Sequence, residues 1–463
     1  MRQKPYQSVL ELIGNTPMVQ LHSFDTNGCE LYVKLEQMNP GDSIKDRIAL
    51  RMIEDAEKSG ALKPGGTIVE ATSGNTGLGL TLIGKLKGYH VILVMPDKMS
   101  VEKISLPKAF GAEVLLTRSD VEKGHPEYYQ EVAEAKAKEL ENCIYMNQFC
   151  NPSNPAAHYN STAPEIISQM DGKVDAIVCG VGSGGTITGI SNYCAEHSPN
   201  TDMVLADPAG SILTHYIKTG EMEKAGSWLV EGMGEDFIPD ICDLSRVKHA
   251  YTVSDRESFL TTRKLLLEEG ILAGTSAGCL VAAAVKYCQE QTEPKRVVTF
   301  ICDSGSRYLR KVFNDFWMIE NGLLEREVTG DLRDLISRRF DEGSVVTVSP
   351  DDTLTTTHNR MRMYDISQLP VMENGRIIGI IDEENILFAA RESKEAFLAP
   401  VSDFMVTTLK TLPRTAALDD VISLLDSGYT PLISEGDCFL GLITRSDVIN
   451  YLRISNMRQE LSS

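Results

Sequence analysis

The chain has 463 residues, 42% of them hydrophobic and 24% charged, which suits two to four globular domains and excludes wholesale disorder. Its net charge of −20 argues against a surface that tracks nucleic-acid phosphates or an anionic membrane and otherwise serves solubility. The ten cysteines run from Cys29 to Cys438 without a CxxC pair or a metal-type cluster, so they read as reduced thiols.

The opening residues, MRQKPYQSVLELIGNTP, show neither an apolar signal core nor a basic amphipathic leader. No run of about eighteen apolar residues follows. A cytoplasmic protein is expected, with neither nucleic acid nor membrane as partner. The first distinctive segment is NPGDSIKDR (39–47), which sets Lys45 in a Pro-Gly-Ser turn ahead of the helical run DRIALRMIEDAEKSG. A lysine at a helix entrance is ordinarily solvated. It becomes a Schiff-base former only where a desolvated, positively biased site favours its neutral amine.

Short β-branched runs then alternate with helical patterns up to about residue 310. They are GTIVEA (66–71), HVILVMP (90–96), AEVLLT (112–117), DAIVCGVG (175–182), DMVLADP (202–208) and RVVTFICD (296–303). This alternation predicts an α/β fold with open, mostly parallel sheets and helices on both faces. In such sheets ligands sit at the carboxyl ends of the strands, and three of these ends carry unusual loops. EATSGNTGLGL (70–80) packs Ser, Thr, Asn and Gly into one strand-to-helix turn, more polar groups than a helix cap needs, and reads as an anion loop. GVGSGGTITG (180–189) contains a literal GxGxxG at Gly180, Gly182 and Gly185. Asp202 and Asp207 are the nearest acidic residues, neither a convincing ribose partner, so a phosphate cup for a non-nucleotide cofactor fits better than a dinucleotide site. ICDSGSRYLR (301–310) follows the last strand, and a serine there is by itself a common cap.

After Trp317 the chain changes character. GLLEREVTGDLRDLISRRF (322–340) is charge-dense and reads as a helical linker over 319–340. ISQLPVMENGRIIGIIDEENILFAA (366–390) and SGYTPLISEGDCFLGLITRSDVINYL (427–452) then form an internal repeat of period about sixty: apolar strand, turn, apolar strand, helix. Two copies suit a pseudo-symmetric pair rather than a solenoid. The expected division is a catalytic domain over 1–318, the linker, and two repeat domains over 341–397 and 398–463.

Together the four segments, with IGNTPMVQL (13–21) and NPSNPAAHY (151–159), resemble the fold-type II pyridoxal-phosphate family of cystathionine β-synthases and cysteine synthases, over residues 5 to about 318. The resemblance implies pyridoxal 5′-phosphate held by Lys45 as a Schiff base. It implies that Asn75 bonds the cofactor's 3-oxygen, that Gly182, Ser183, Gly184, Gly185 and Thr186 hold the phosphate, and that Ser304 faces the ring nitrogen. Thr72, Ser73, Thr76, Gln148 and Gly232 are implied to bind substrate. A neutral serine at the ring nitrogen suits β-elimination and replacement, with Lys45 moving the Cα proton.

VMPDKMSVEK (94–103) and VEGMGEDFIPD (230–240) resemble cystathionine β-synthases, bacterial ones especially. Glu235 stands where animal and yeast enzymes usually carry Tyr, and Phe149 leans toward cysteine synthases. The C-terminal repeat resembles paired CBS domains and tips the reading to serine plus homocysteine, giving cystathionine and water. Hydrogen sulfide release from cysteine is a side activity of that reading. The alternatives are a cysteine synthase using O-acetylserine or O-phosphoserine with sulfide, and an adenosyl-ligand sensor with an inactive catalytic half. The second repeat copy offers Thr444 and Asp447 in the CBS family's ribose positions, for S-adenosylmethionine or an adenine nucleotide. The first copy has Asp382 and Asn385 there and looks degenerate, and a purely structural or dimerising pair is the plainer reading. No haem is expected, because no upstream Cys-Pro/His segment is present. The family implies a homo-oligomer, dimer or tetramer.

Overall fold

The apolar runs become strands wherever both faces can be covered. The computed structural model describes residues 5–72, 74–97, 99, 101–122, 124–393 and 395–462, in two units that divide between Asn314 and Asp315. In the first unit the described strands are β1 (Met18–Gln20), β2 (Glu30–Leu35), β3 (Thr67–Ala71), β4 (His90–Pro96), β5 (Glu113–Thr117), β6 (Cys143–Tyr145), β7 (Ala176–Gly180), β8 (Asp202–Pro208), β9 (Val247–Val253) and β10 (Arg296–Ile301). They form two sheets, β5-β4-β3-β6 and β1-β2-β10-β7-β8-β9. All pairings are parallel except β1 with β2. The expected α/β architecture is therefore present. β4 is buried along all but its first residue, as a strand covered on both faces must be.

The Lys45–Ser59 helix shows how the core forms. Ile48, Ala49, Met52, Ile53 and Ala56 recur at helical spacing and are buried, packing with Ile68, Leu80, Ile83 and Leu93. Burying each large side chain contributes about 1.5–3 kcal/mol. The helix stops at Gly60, whose φ of 77° only glycine adopts without strain. Its other end is fixed by an unusual buried charge cluster. Arg47 donates to Glu36 and to Glu165, both at 2.7 Å, and Lys34 reaches Glu165 at 2.8 Å. These bonds hold the turn before the helix in place.

The second unit shows the repeat directly. β11 (Gln368–Glu373) and β12 (Arg376–Asp382) form an antiparallel hairpin, and β14 (Leu432–Glu435) and β15 (Cys438–Leu442) form another, with β13 (Thr411–Pro413) parallel to β14. The first hairpin turns on Asn374 and Gly375, both at positive φ, as a two-residue turn between twisted strands requires. A register shift falls at Val371/Met372 in one hairpin and at Ile433/Ser434 in the other. Each hairpin backs onto its own apolar cluster.

The helical linker expected over 319–340 is not what forms. Only the end of the Asp315–Glu320 helix and a 3-10 turn at Leu332–Leu335 are helical. Gly322 and Gly330 take left-handed φ of 69° and 73°, which interrupts a helix. Leu332, Leu335 and Ile336 are buried with Val421, Ile433 and Ile443. The segment thus belongs to the core of the second unit, and that burial outweighs its helical propensity. No described helix in either unit is long and apolar enough to cross a membrane.

Candidate active site

In the first unit, the loops that follow β3, β7 and β10 open onto one cavity of about 810 Å³. Lys45, Thr72, Asn75, Thr76, Gln148, Gly182, Ser183, Gly184, Thr186 and Gly232 all line it. Segments separated by up to some two hundred positions in sequence therefore converge on one cavity. Ser73 lies outside the described residues. Gly185 and Ser304 are not on the cavity wall.

Lys45 is the first residue of its helix. The turn before it is stitched to the segment after β10: Ile44 N–H donates to the Cys302 carbonyl at 2.8 Å and Ser304 N–H to the Asp42 carbonyl at 3.2 Å. Among the described residues nothing pairs or hydrogen-bonds with the Lys45 ammonium. Burial pushes its pKa down, against the weaker opposing pull of Cys302, Asp303 and Glu235, and the positive end of the helix dipole works in the same direction as burial. Burial beside a cavity, with no carboxylate partner among the described residues, shifts such a lysine toward its neutral, nucleophilic form.

The cup after β7 is shaped by absent side chains. Gly184 takes φ of 84° as the N-cap of the Gly185–His197 helix. A Cβ on Gly182 would lie 2.8 Å from the Gly232 carbonyl oxygen, and one on Gly185 would overlap the Asn154 side chain. Gly185 thus serves close packing behind the cup instead of facing the cavity. Backbone N–H groups and a helix N-terminus, with no acidic residue between Val181 and Thr186, form an anion site. Asn154 donates to Ser183 Oγ at 2.9 Å. Thr186 Oγ1 lies 3.2 Å from Nε2 of His158, whose Nδ1 lies 2.9 Å from Thr162 Oγ1. His158 is wholly buried in a π-helical turn, His158–Thr162. Burial first, then the Lys45 and Arg47 charges, hold its pKa well below the usual imidazole value. A neutral imidazole orients the Thr186 hydroxyl without cancelling an anion's charge. The cup and the unpaired lysine together fit pyridoxal phosphate.

The ring side of the site departs from expectation. The Asn75 amide is committed at both ends: it donates to Asp303 Oδ2 at 2.8 Å and accepts from Arg307 Nη1. Arg307 also donates to the Gly41 carbonyl at 2.7 Å, and Tyr308 donates to Asp303 Oδ2 at 2.8 Å. Ser304, expected at the ring nitrogen, instead caps the Gly305–Tyr308 turn. Its hydroxyl accepts from Ser306 N–H and donates to Ser306 Oγ at 3.0 Å. The four orphan N–H groups of a helical turn make a strand-end serine a natural cap. Ser276 and Ser306 are the serines on this part of the wall.

On the substrate side, Thr76 donates to Gln148 Oε1 at 2.6 Å, and Thr72 Oγ1 accepts from Gly74 N–H at 3.2 Å. The loop reading missed Glu231, Glu235, Tyr128, Tyr129, Cys302, Asp303, Arg307 and Tyr308, all on the wall. Glu231 is gripped by Lys103 and by Lys311 at 2.5 Å. The glycines of VEGMGE (230–235), where Gly232 and Gly234 take φ of 84° and 88°, were the available signal for this strap.

In the second unit, Thr444 and Asp447 do come together. The Asp447 carboxylate accepts from Thr444 N–H at 2.6 Å, from its hydroxyl at 2.5 Å, and from Ser337 Oγ. Asp382 and Asn385 of the first copy form a reciprocal helix cap, at 2.8 and 3.0 Å. Both pairs therefore start a helix.

Residues 9–303 match the family of pyridoxal-phosphate dependent enzymes, and residues 332–392 and 401–454 match the CBS domain. The chain is 37% identical to the cystathionine β-synthase of Oryctolagus cuniculus, over 98% of this chain and 86% of that protein. It is 40% identical to cysteine synthase 1 of Neurospora crassa, over 67% of this chain and 84% of that protein. A hydrogen sulfide-producing enzyme of Fusobacterium nucleatum aligns in structure with a TM-score of 0.61 and 40% identity, covering 66% of this chain and all of that one. The match that runs through both the lysine-bearing cavity and the paired repeats is the first of these. This chain belongs to the cystathionine β-synthases, pyridoxal-phosphate dependent enzymes with C-terminal CBS domains.

Proposed function

We propose that the chain condenses L-serine with L-homocysteine to L-cystathionine and water, and that it releases hydrogen sulfide from cysteine as a side reaction. One observation carries the reading: Lys45 faces the cavity with no partner for its amine among the described residues, and an anion cup and a hydroxyl-rich loop line the same cavity. Pyridoxal phosphate, when bound, supplies the electron sink that makes the substrate's Cα–H acidic. Lys45 holds it, and Gly182, Ser183, Gly184 and Thr186 take its phosphate, with Thr186 aimed by His158. Thr72 and Thr76, at the start of the Asn75–Leu86 helix, with Gln148 bonded to Thr76, take the substrate carboxylate, where the helix dipole favours negative charge. Once the substrate's amino group has taken its place, the released Lys45 amine would remove the Cα proton of serine and return it to the same carbon after the thiol has added.

The catalytic domain over 1–318 and the CBS pair belong to one cytoplasmic homo-oligomer in this reading. Asp447 and Thr444 are its site for S-adenosylmethionine or an adenine nucleotide, entered when Ser337 gives way. A second reading, a cysteine synthase using O-acetylserine and sulfide, draws on Phe149 at the cavity wall and on the match to the Neurospora crassa enzyme. Specificity constants for homocysteine and sulfide, each with serine and with O-acetylserine, separate the two. A preference for O-acetylserine with sulfide over serine with homocysteine sinks the first reading.

A further inference from the structure

Replacing the hydroxyl of serine by a thiol requires proton traffic at Cβ as well as at Cα. Hydroxide is a poor leaving group and departs readily only as water. The incoming thiol must in turn lose its proton as sulfur bonds to Cβ. If Lys45 keeps the Cα proton for its return to the same carbon, the protons at Cβ fall to a second group. Resting on the serine reading above, we propose that Glu235 is that group: the acid that protonates the departing hydroxyl and the base that receives the thiol proton.

Glu235 lines the same cavity as Lys45. Its backbone is fixed on both sides, with N–H donating to Ser211 Oγ at 3.1 Å and the carbonyl accepting from Ile212 N–H at 3.1 Å and Ser211 Oγ at 3.2 Å. The preceding Gly234 donates to the Val181 carbonyl at 2.8 Å, which ties the strap carrying Glu235 to the phosphate cup. Among the described residues nothing hydrogen-bonds or pairs with its carboxyl.

Among the described residues the other acids on the wall are Glu231, Asp303 and Asp42. Glu231 is held between two lysines. Asp303 accepts from Asn75 and Tyr308. Asp42 is 57% exposed and lies 4.0 Å from Arg307. The phenols of Tyr128 and Tyr129 are pushed further up by burial, so they are weak acids. The titratable and charged groups that interact electrostatically with Glu235 are Lys45, Asp236, Tyr128, Tyr129 and Cys242. Burial, with help from Asp236 and against the pull of Lys45, pushes the Glu235 carboxyl up to about 8. An acid is most useful when its pKa lies near the working pH.

The balance closes. The Cβ–O bond breaks with its electron pair on oxygen, the Glu235 proton joins that oxygen, and water leaves. The thiol sulfur then forms the Cβ–S bond while its proton passes to the Glu235 carboxylate. Glu235 ends protonated as it began, and serine plus thiol becomes thioether plus water without any oxidant or reductant.

The test compares leaving groups in single turnover of the holoenzyme, without thiol. Serine needs its hydroxyl protonated, whereas chloride departs from β-chloroalanine unaided. In Glu235→Gln the serine step slows about 100-fold or more, as for loss of a general acid. That loss exceeds the loss on β-chloroalanine by at least about tenfold, and Glu235→Asp recovers part of it. Equal losses on the two donors, or an unslowed serine step, overturn the assignment. A readout independent of turnover is the infrared carbonyl stretch of a protonated carboxyl, titrating between about pH 6 and pH 10 and missing in Glu235→Gln. A carboxylate already ionised at about pH 6 also overturns it. If the unaltered protein loses no water from serine, the serine reading itself fails. If it does and the donor ratio stays unmoved in the variant, only Glu235 fails.

Discussion

Substituting Gly182 by alanine probes the cup at its tightest point. The added Cβ would sit 2.8 Å from the carbonyl oxygen of Gly232, whereas carbon–oxygen contacts settle at about 3.3 Å or beyond. The strap or the cup must therefore shift by about half an ångström. The strap has little freedom, because Gly234 N–H is bonded to Val181 O at 2.8 Å, one residue from the substitution. Overpacking of this kind costs about 1–3 kcal/mol. If that cost falls on the cofactor-bound state, affinity drops roughly 5- to 150-fold, at about 1.4 kcal/mol per decade. Gly232→Ala is the informative contrast. Among the described residues nothing lies within 4 Å of its Cβ, but its φ is 84°, so it pays about 1–2 kcal/mol of left-handed strain in stability. Titrating pyridoxal phosphate into each apoenzyme, with thermal melts alongside, separates the two costs. A Gly182→Ala protein that binds within about twofold of the unaltered one would refute the cup as the phosphate site.

Other consequences are equally specific. Arg47→Ala leaves Glu36, wholly buried, without the cation that pairs it, and should destabilise the first unit by about 3–5 kcal/mol in denaturant melts; a change under about 1 kcal/mol would contradict the cluster's role. Burial pushes the Glu70 carboxyl up to about 8, against N–H bonds from Gln148 and Asn147. Its folded pKa is raised above the unfolded value, so the folded state holds a proton that the unfolded chain releases above about pH 4.3, and stability falls as pH rises from there to about 8. Glu70→Gln removes this slope, so its stability relative to the unaltered protein should rise between pH 5 and pH 8, roughly; an equal difference at both would contradict it. His158→Ala should weaken cofactor binding by about tenfold through the unsupported Thr186 hydroxyl, the worth of one hydrogen bond; unchanged affinity would make His158 a packing residue only.

The loops were legible because their composition exceeds any structural need. One polar residue caps a helix, so the density of Ser, Thr, Asn and Gly at 72–77 and 182–186 pointed beyond capping. The strands that could be read were those with unbroken apolar runs, β3, β4, β5, β7, β8 and β10. β1 and β6 are three residues each, shorter than any period can show. β9, VKHAYTV, lies at a sheet edge with mixed burial and reads as polar. β2 carries Lys34, which is wholly buried, a choice that only Thr16, Gln169 and Glu165 explain. Those partners come from elsewhere in the chain. The linker misled for a related reason: its leucines have a core to join, and that core is built from residues about a hundred positions later. Ser304 and Asn75 show a further boundary. The residue type identifies the loop, but the Ser304 hydroxyl takes the partner its own turn offers, and the Asn75 amide takes Asp303 and Arg307 from more than two hundred positions away. Glu235 looked like a simple departure from relatives with Tyr. The chemistry proposed for it depends on burial and on the absence of a partner among the described residues, and neither property is written in its neighbours.

The most direct measurement is mass analysis of the product formed from L-serine and L-homocysteine by the purified, cofactor-loaded protein and by Lys45→Ala. The account predicts cystathionine from the unaltered protein and none above the uncatalysed level from the variant. Cystathionine from both would remove Lys45 from the chemistry, and cystathionine from neither, with cysteine formed from O-acetylserine and sulfide, would contradict the assigned reaction.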